Sequence, residues 1–69
     1  QLYELFDYKI KVALKENIKV KITYYINNNY EKIQAHIKGF NKQNKSLILK
    51  TSKKTEIKLK DIIDINLLS

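Results

Sequence analysis

A nine-residue alternating segment constrains this chain more than any other feature. Residues 18–26 read IKVKITYYI, so apolar side chains alternate with lysine, threonine and tyrosine. Side chains on a β-strand point alternately to the two faces of a sheet, and this pattern therefore predicts a half-buried strand. The face expected in the core carries Ile18, Val20, Ile22, Tyr24 and Ile26, and the face expected in solvent carries Lys19, Lys21, Thr23 and Tyr25.

The remaining segments add a helix before this strand and four strands after it. Residues 1–16 place Leu2, Leu5, Phe6, Ile10 and Ala13 near one face at helical spacing, with acidic residues early and lysines late. This pattern predicts a helix at about residues 3–15, with Asn17 as its stop. Short alternating segments follow, separated by polar turns. The strands are expected at residues 18–26, 30–40, 46–51, 55–60 and 63–67. The inward residues expected after the first strand are Ile33, Ala35, Ile37, Leu47, Leu49, Ile57, Leu59, Ile63, Ile65 and Leu67.

This order of elements predicts an α+β, mainly β fold in a single domain spanning residues 1–69. An N-terminal helix followed by five short antiparallel strands is typical of an SH3-like or Sm-like small barrel. The three asparagines at residues 27–29 predict the first hairpin turn. Gly39, the only glycine, predicts a bulge or bend at which a side chain would obstruct the backbone.

Composition limits the chemistry that the chain can perform. With no cysteine and a single histidine, His36, disulfides and sites built on thiolates or several histidines are excluded. One glycine cannot form a phosphate-binding loop. Asp61 and Asp64 are the only close carboxylate pair in the C-terminal half, and their spacing does not place both on one face of a strand. We therefore expect no enzymatic activity, no cofactor and no metal.

Size and hydropathy indicate how the fold is stabilised and in which compartment the chain acts. A core formed by 69 residues supplies only about 3–5 kcal/mol of net stability. Tight packing, self-association or a protein partner is therefore expected. No apolar run reaches the roughly 18 residues of a membrane helix, and no secretory signal pattern is present, so we expect the cytoplasm and no membrane.

The charge pattern gives the strongest functional indication. Fourteen lysines and no arginine give a net charge of +7, which favours nucleic acid, an acidic protein surface or an anionic membrane as partner. The absence of arginine, the usual residue for bidentate phosphate contacts, weakens the nucleic-acid reading. Outward lysines also simply keep a strand-rich protein soluble. The residues expected to contact a partner are Lys19, Lys21, Tyr25, Lys50, Lys53, Lys54, Lys58 and Lys60, and Tyr8, Tyr25, Tyr30 and Phe40 are expected to form an aromatic contact patch.

Several short motifs resemble the YolD-like family of small bacterial and phage proteins. The likeness lies in ITYY at residues 22–25, in residues 37–40, in the strand LIL at residues 47–49, and in the closing residues 57–65. The resemblance implies an Sm-like barrel behind an N-terminal helix, and a setting beside translesion DNA polymerases and the DNA-damage response. It supplies no catalytic residue. The chain departs from the family pattern at Ala35, usually glycine, and at residues 41–42, usually Asp-Pro, so the second and third strands are expected to bend differently.

Together these features predict a non-enzymatic accessory module that binds a protein. It would serve a phage, a plasmid or a bacterial accessory system, with a link to DNA-damage tolerance. One alternative is an accessory protein that binds nucleic acid through a basic sheet face bearing an exposed aromatic. Another is a small phage-type inhibitor of a host or immune protein.

Overall fold

The chain folds into one helix followed by five antiparallel strands. The computed structural model describes the backbone of residues 2–52 and 54–68 and the side chains of residues 6–52 and 55–68. The elements are α1 (Leu2–Glu16), β1 (Lys19–Ile26), β2 (Asn29–Asn41), β3 (Ser46–Lys50), β4 (Lys54–Lys58), a 3-10 turn (Leu59–Asp61) and β5 (Ile62–Leu68). The predicted fold class, a helix before a small barrel-like antiparallel sheet, is confirmed.

The strands form one sheet in the order β4-β3-β2-β1-β5. The long strand β2 joins its two halves: residues 29–35 pair with β1, and residues 36–41 pair with β3. Because one strand contributes to both halves, a bend in β2 curves the whole sheet and gives it its barrel-like form.

Asparagines with positive φ end the helix and form the first hairpin turn. Asn17 has φ 54°, and the Ile18 N–H donates to the Ala13 carbonyl at 3.0 Å, which is the hydrogen bond of a Schellman helix end. Asn27 and Asn28 have φ 51° and 63°, the values of a type I′ two-residue turn. The predictions for both sites are confirmed.

A bulge bends β2, but the glycine beside it is not sterically required. The pairing with β3 shifts between Ile37 and Gly39, so Lys38 is the extra residue. The predicted bulge is thus confirmed. The predicted obstruction is wrong, because a Cβ on Gly39 would meet nothing within 4 Å and its φ is not positive.

A second bulge overturns the predicted inward pattern of the last strand. Thr23 pairs with Asp64 while Tyr24 pairs with Ile62, so Ile63 is an extra residue in β5. Ile63 was expected in the core but is 46% exposed, and Ile62 is buried in its place. A bulge reverses the side-chain alternation on either side of it, which explains the shift.

The fourth strand is shorter at its end than residues 55–60 predict. β4 ends at Lys58, and Leu59–Asp61 form a 3-10 turn that carries the chain to β5. Lys58 and Lys60 therefore do not share a strand face. The Leu59 N–H donates to the Lys45 carbonyl at 2.9 Å and fastens this turn to the β2–β3 connection.

The core lies between α1 and the concave side of the sheet. Every element from α1 to β5 contributes to it, apart from the 3-10 turn, and its buried residues are Phe6, Ile10, Ala13, Val20, Ile22, Ala35, Ile37, Leu47, Leu49, Ile57, Ile62 and Ile65. Tyr24 packs against this cluster but is only half-buried, and Ile26, expected inside, is 47% exposed because it lies at the hairpin end of β1.

Packing and a hydrogen bond from Lys9 hold the helix across the sheet. It contacts β2 and β5, and Lys9 Nζ donates to the Ile65 carbonyl at 2.7 Å. Within residues 2–52 and 54–68, no helix has the length and apolar character that a membrane crossing requires.

Candidate functional site

An apolar groove runs between α1 and one end of the sheet. Its volume is about 850 Å³. We call this feature the groove. The described residues that line it are Phe6, Asp7, Ile10, Lys11, Leu14, Phe40, Asn44, Lys45, Lys58, Leu59 and Lys60. Five of these side chains are apolar, and the charged ones lie along the two rims.

The helix supplies one wall through a stripe of three apolar residues. Phe6, Ile10 and Leu14 are four residues apart, so they lie on the same side of α1. Phe6 and Ile10 are buried and form the floor, whereas Leu14 is 43% exposed at the rim. At a rise of 1.5 Å per residue the stripe is about 12 Å long, which matches two turns of a helix laid beside it.

The bulge in β2 supplies the aromatic of the opposite wall. Without it, the alternation of Ala35 and Ile37 would place Phe40 on the outer side of the sheet. After the extra residue Lys38, Phe40 pairs with Leu47, whose side chain is fully buried. Directly paired residues share a face, so Phe40 lies on the core side and, at 39% exposure, borders the groove.

The β2–β3 turn fixes a lysine at the rim. Asn41 Oδ1 accepts hydrogen bonds from the N–H groups of Gln43 at 3.0 Å and Asn44 at 3.1 Å. Lys45 follows with φ 51°, and its carbonyl accepts from Leu59. The turn and the 3-10 segment therefore hold each other in place, with Lys45, Lys58 and Lys60 along one rim.

A buried hydroxyl helps to order this rim. Ser46 is fully buried and donates to Glu56 Oε1 at 2.5 Å, and the side-chain amide of Asn44 donates to the same oxygen at 3.2 Å. A buried hydroxyl is costly unless it is hydrogen-bonded, so this pairing stabilises the start of β3. The glutamate thus ties the turn to β4.

The two rims differ in charge. On the sheet side, Lys45, Lys58 and Lys60 are exposed and outnumber Glu56, the acid that accepts from Asn44 there. On the helix side, Lys11 Nζ lies 3.0 Å from Asp7 Oδ2, so that pair is neutral overall. The groove therefore has an apolar floor with positive charge concentrated on one side.

Three of the predicted contact residues lie elsewhere, on the opposite side of the sheet. Lys19, Lys21 and Tyr25 share one face of β1, as the alternation predicts, because the pairing of β1 with β2 is regular. Their cross-strand neighbours extend this surface, hereafter the outer face, which comprises Lys19, Lys21, Thr23, Tyr25, Tyr30, Lys32 and Gln34.

The outer face carries an aromatic pair, and an aspartate lies beside it on β5. The Tyr25 and Tyr30 ring centroids are 5.1 Å apart in an edge-to-face arrangement. Asp64 pairs with Thr23 and accepts a hydrogen bond from Asn66 at 3.2 Å. The predicted patch of tyrosines with Phe40 is wrong, since Tyr30 and Phe40 lie at opposite ends of β2 and Phe40 belongs to the groove.

The remaining predicted lysines divide between two places. Lys50 is exposed and pairs with Lys54 at the far end of the β3–β4 hairpin, whereas Lys58 pairs with Ser46 at the groove end. Lys53 and the side chain of Lys54 lie outside the described residues. Lys58 and Lys60 are brought together at the groove by the 3-10 turn, not by a shared strand face as predicted.

Of the eleven groove residues, sequence reasoning named only Lys58 and Lys60 as partner contacts. It assigned Phe40 to a different patch and Phe6, Ile10 and Leu59 to the core, and it missed Asp7, Lys11, Leu14, Asn44 and Lys45. Leu14 carries a signal, because it continues the four-residue spacing of Phe6 and Ile10. The position of Phe40 depends on a bulge whose direction the sequence does not specify. Within the described part of the chain, no three histidine, aspartate or glutamate side chains come together as a metal site.

The fold and the groove define a class: a small, bent antiparallel sheet behind an N-terminal helix, with a surface suited to binding. The family model described as YolD-like protein matches residues 1–66 of the 69-residue chain. The chain therefore belongs to the YolD-like family. No curated protein and no solved structure matches it.

Proposed function

We propose that this chain is a non-enzymatic accessory module that binds a protein through the groove. The proposal rests on one observation: exposed Leu14 and Phe40 border an apolar groove with a volume of about 850 Å³. Exposed apolar side chains that border a concave surface mark interaction sites more often than isolated ones do. Such a groove buries apolar side chains of a partner.

The polar groups of the groove favour a protein segment over a small substrate. A substrate site needs a few polar groups that converge on one reacting atom. Here Asp7 is paired with Lys11, and the Asn44 amide donates to Glu56. Among the described residues, no buried side-chain nitrogen or oxygen lacks a hydrogen-bond partner. Orientation therefore comes from shape and from the lysines at the rim.

The net charge of +7 supports rapid docking onto an acidic partner. Complementary potentials raise association rates and fix orientation more than they raise affinity. We place the module in the cytoplasm, as an accessory of a bacterium, phage or plasmid. The family setting beside DNA-damage tolerance is the pathway in which we propose that it acts.

Site-specific crosslinking tests the protein-binding proposal. A photoreactive amino acid replaces either Leu14 in the groove or Tyr25 on the outer face, two positions of almost equal exposure, 43% and 41%. In cells that encode the chain, we expect a defined protein adduct from position 14 that is absent from position 25.

A second substitution makes the crosslinking result specific. Phe40→Ser removes the aromatic wall opposite Leu14, and we expect it to abolish the adduct. Because Phe40 is 39% exposed and lies on the core side, the unfolding midpoint should fall by several degrees, and circular dichroism at the crosslinking temperature verifies that the variant is folded. Equal adducts at both positions, or no adduct at position 14, would contradict protein binding through the groove.

A second candidate function is single-stranded nucleic-acid binding by the outer face. It is favoured by the Tyr25–Tyr30 pair beside Lys19, Lys21 and Lys32, since aromatic rings stack on bases and lysines attract phosphates. Titration with a fluorescent 12-nucleotide DNA at several salt concentrations tests it. Affinity that falls steeply with salt, with a slope reduced by about one in Lys21→Gln, would support it. No binding at about 20 mM salt removes it.

A further inference from the structure

We infer that the occupant of the groove is an amphipathic helix with acidic residues along one side of its apolar stripe. The inference rests on the proposed function and names the partner's chemistry. It is carried by the unequal charge of the two rims together with the geometry of the α1 wall.

The α1 wall accommodates a helix better than an extended segment. A strand gains its binding energy by adding backbone hydrogen bonds to a free edge. The backbone groups in the middle of α1 are already hydrogen-bonded within the helix, so this wall offers none. A helix satisfies its own backbone and needs only side-chain contacts, which exposed Leu14 and Phe40 provide above the floor of buried Phe6 and Ile10.

The shape of the groove limits the partner's anchors. Phe6 and Ile10 are buried, so apolar side chains of the partner enter the groove above them. A helix presents such side chains on one face at i, i+3 or i+4, and i+7. Phe40 and Leu59 close the opposite side. Two to three apolar anchors therefore occupy the groove.

Charge decides the flanks and the orientation. Lys45, Lys58 and Lys60 lie along the sheet-side rim, whereas Asp7 and Lys11 neutralise each other at 3.0 Å on the helix side. Aspartate or glutamate on the sheet-facing flank of the partner helix would meet the three lysines, and a basic flank would be repelled. The flank of the partner that faces α1 meets Asp7 and Lys11, whose charges cancel.

The probe is a synthetic 16-residue helical peptide with leucines at i, i+4 and i+7 and glutamates along one flank. Two companions keep the leucines: one has every glutamate replaced by lysine, and one has a central proline that breaks the helix. Fluorescence anisotropy with the full chain measures affinity, and circular dichroism measures helix content in the complex. We expect the acidic helix to bind at least about tenfold more tightly than either companion.

Two charge-reversed variants identify the surface responsible. Lys58→Glu with Lys60→Glu alters the groove rim, and Lys19→Glu with Lys21→Glu makes the same change in net charge on the outer face. We expect the first pair to weaken binding of the acidic peptide by about tenfold or more. This variant should bind the lysine peptide more tightly than the acidic one. The second pair should change affinity by less than about threefold at 150 mM salt, because exposed charges farther apart than the Debye length of about 8 Å are largely screened.

The outcomes separate this inference from the proposed function. Equal binding of acidic and basic peptides would overturn the acidic flank while leaving groove binding intact. Equal binding of the proline peptide would overturn the helix. Loss through Lys19→Glu with Lys21→Glu would overturn the location. If no peptide binds but the crosslinked adduct at position 14 persists, the partner chemistry alone is overturned. If no peptide binds and no adduct forms at position 14, the proposed function is overturned as well.

Discussion

The groove and the outer face lie on opposite sides of the same sheet and differ in what surrounds their lysines. In the groove, Lys45, Lys58 and Lys60 border an apolar floor. On the outer face, Lys21 lies between Gln34 and Asn66, and Tyr25 pairs with Tyr30. Positive charge and exposed aromatic side chains occur on both surfaces, since Tyr25 and Tyr30 are 41% and 69% exposed. What distinguishes the groove is its concave apolar floor, because desolvated anchors supply most binding energy.

The two regions also differ in how the sequence produces them. The outer face follows from regular alternation in β1, with paired residues in unbroken register. The groove depends on departures from regularity: the bulge at Lys38, the positive φ of Lys45 and the 3-10 turn after Lys58. Irregular backbone is where a small fold places a side chain that alternation alone would direct elsewhere.

The largest expected effect comes from a core residue on which both regions depend. Leu47 is fully buried and pairs with Phe40. Leu47→Ala should lower the free energy of unfolding by about 2–5 kcal/mol, which approaches the whole stability of a domain of this size. Urea denaturation followed by circular dichroism measures it. Leu14→Ala, at an exposed position, should cost less than about 1 kcal/mol; equal losses would contradict the assigned core.

Asn41→Ala should affect the groove and spare the outer face. It removes the oxygen that accepts from Gln43 and Asn44, so we expect a loss of about 0.5–1.5 kcal/mol and weaker binding of the acidic peptide. Asn66→Ala is the matched control, since it removes an exposed hydrogen bond to Asp64 on the other side of the sheet and should cost less than about 0.5 kcal/mol. Thermal and chemical denaturation compare the two, and the reverse ranking would show that Asn41 does not order the rim.

Gly39→Ala should leave the bend beside the groove unchanged. The new Cβ meets nothing within 4 Å, and alanine restricts the unfolded chain more than glycine does. We expect the free energy of unfolding to rise by up to about 1 kcal/mol, with unchanged peptide affinity. Ala35→Gly, at a buried position in the same strand, should instead lose about 1 kcal/mol or more. A destabilised Gly39→Ala would mean that the glycine itself is needed for the bend.

The smallest effect is expected at the helix-side rim. Lys11→Gln breaks the pair with Asp7, which lies on an exposed surface, so stability should change by less than about 0.5 kcal/mol. The unpaired Asp7 makes this rim negative, so the affinity for the acidic peptide should fall by about twofold. A double-mutant cycle with Asp7→Asn isolates the pair. A tighter peptide complex in Lys11→Gln would contradict the orientation of the partner.

The sequence is sufficient to predict the features that depend on local pattern. Alternation places Val20 and Ile22 in the core, helical spacing places Phe6 and Ile10 there, and Asn17 marks the end of α1. Each conclusion depends on residues within one or two turns or strand repeats. The fold class follows, because this order of elements has few compact arrangements.

Features that depend on register between strands could not be predicted from the same pattern. Ile63 follows the alternation of Ile65 and Leu67, yet the bulge opposite Thr23 turns it outward. Phe40 is turned inward by the bulge in β2. A single extra residue reverses every following side chain, and its presence is decided by pairing with a distant strand.

Chemical-shift mapping tests most directly whether the groove or the outer face binds the partner. The 15N-labelled chain is titrated with the acidic helical peptide, and the amide shifts are followed residue by residue. We expect the largest changes at Leu14, Phe40 and residues 58–60, with little change at Lys19, Lys21 and Tyr30. Changes concentrated on the outer face, with the groove amides unmoved, would contradict the account.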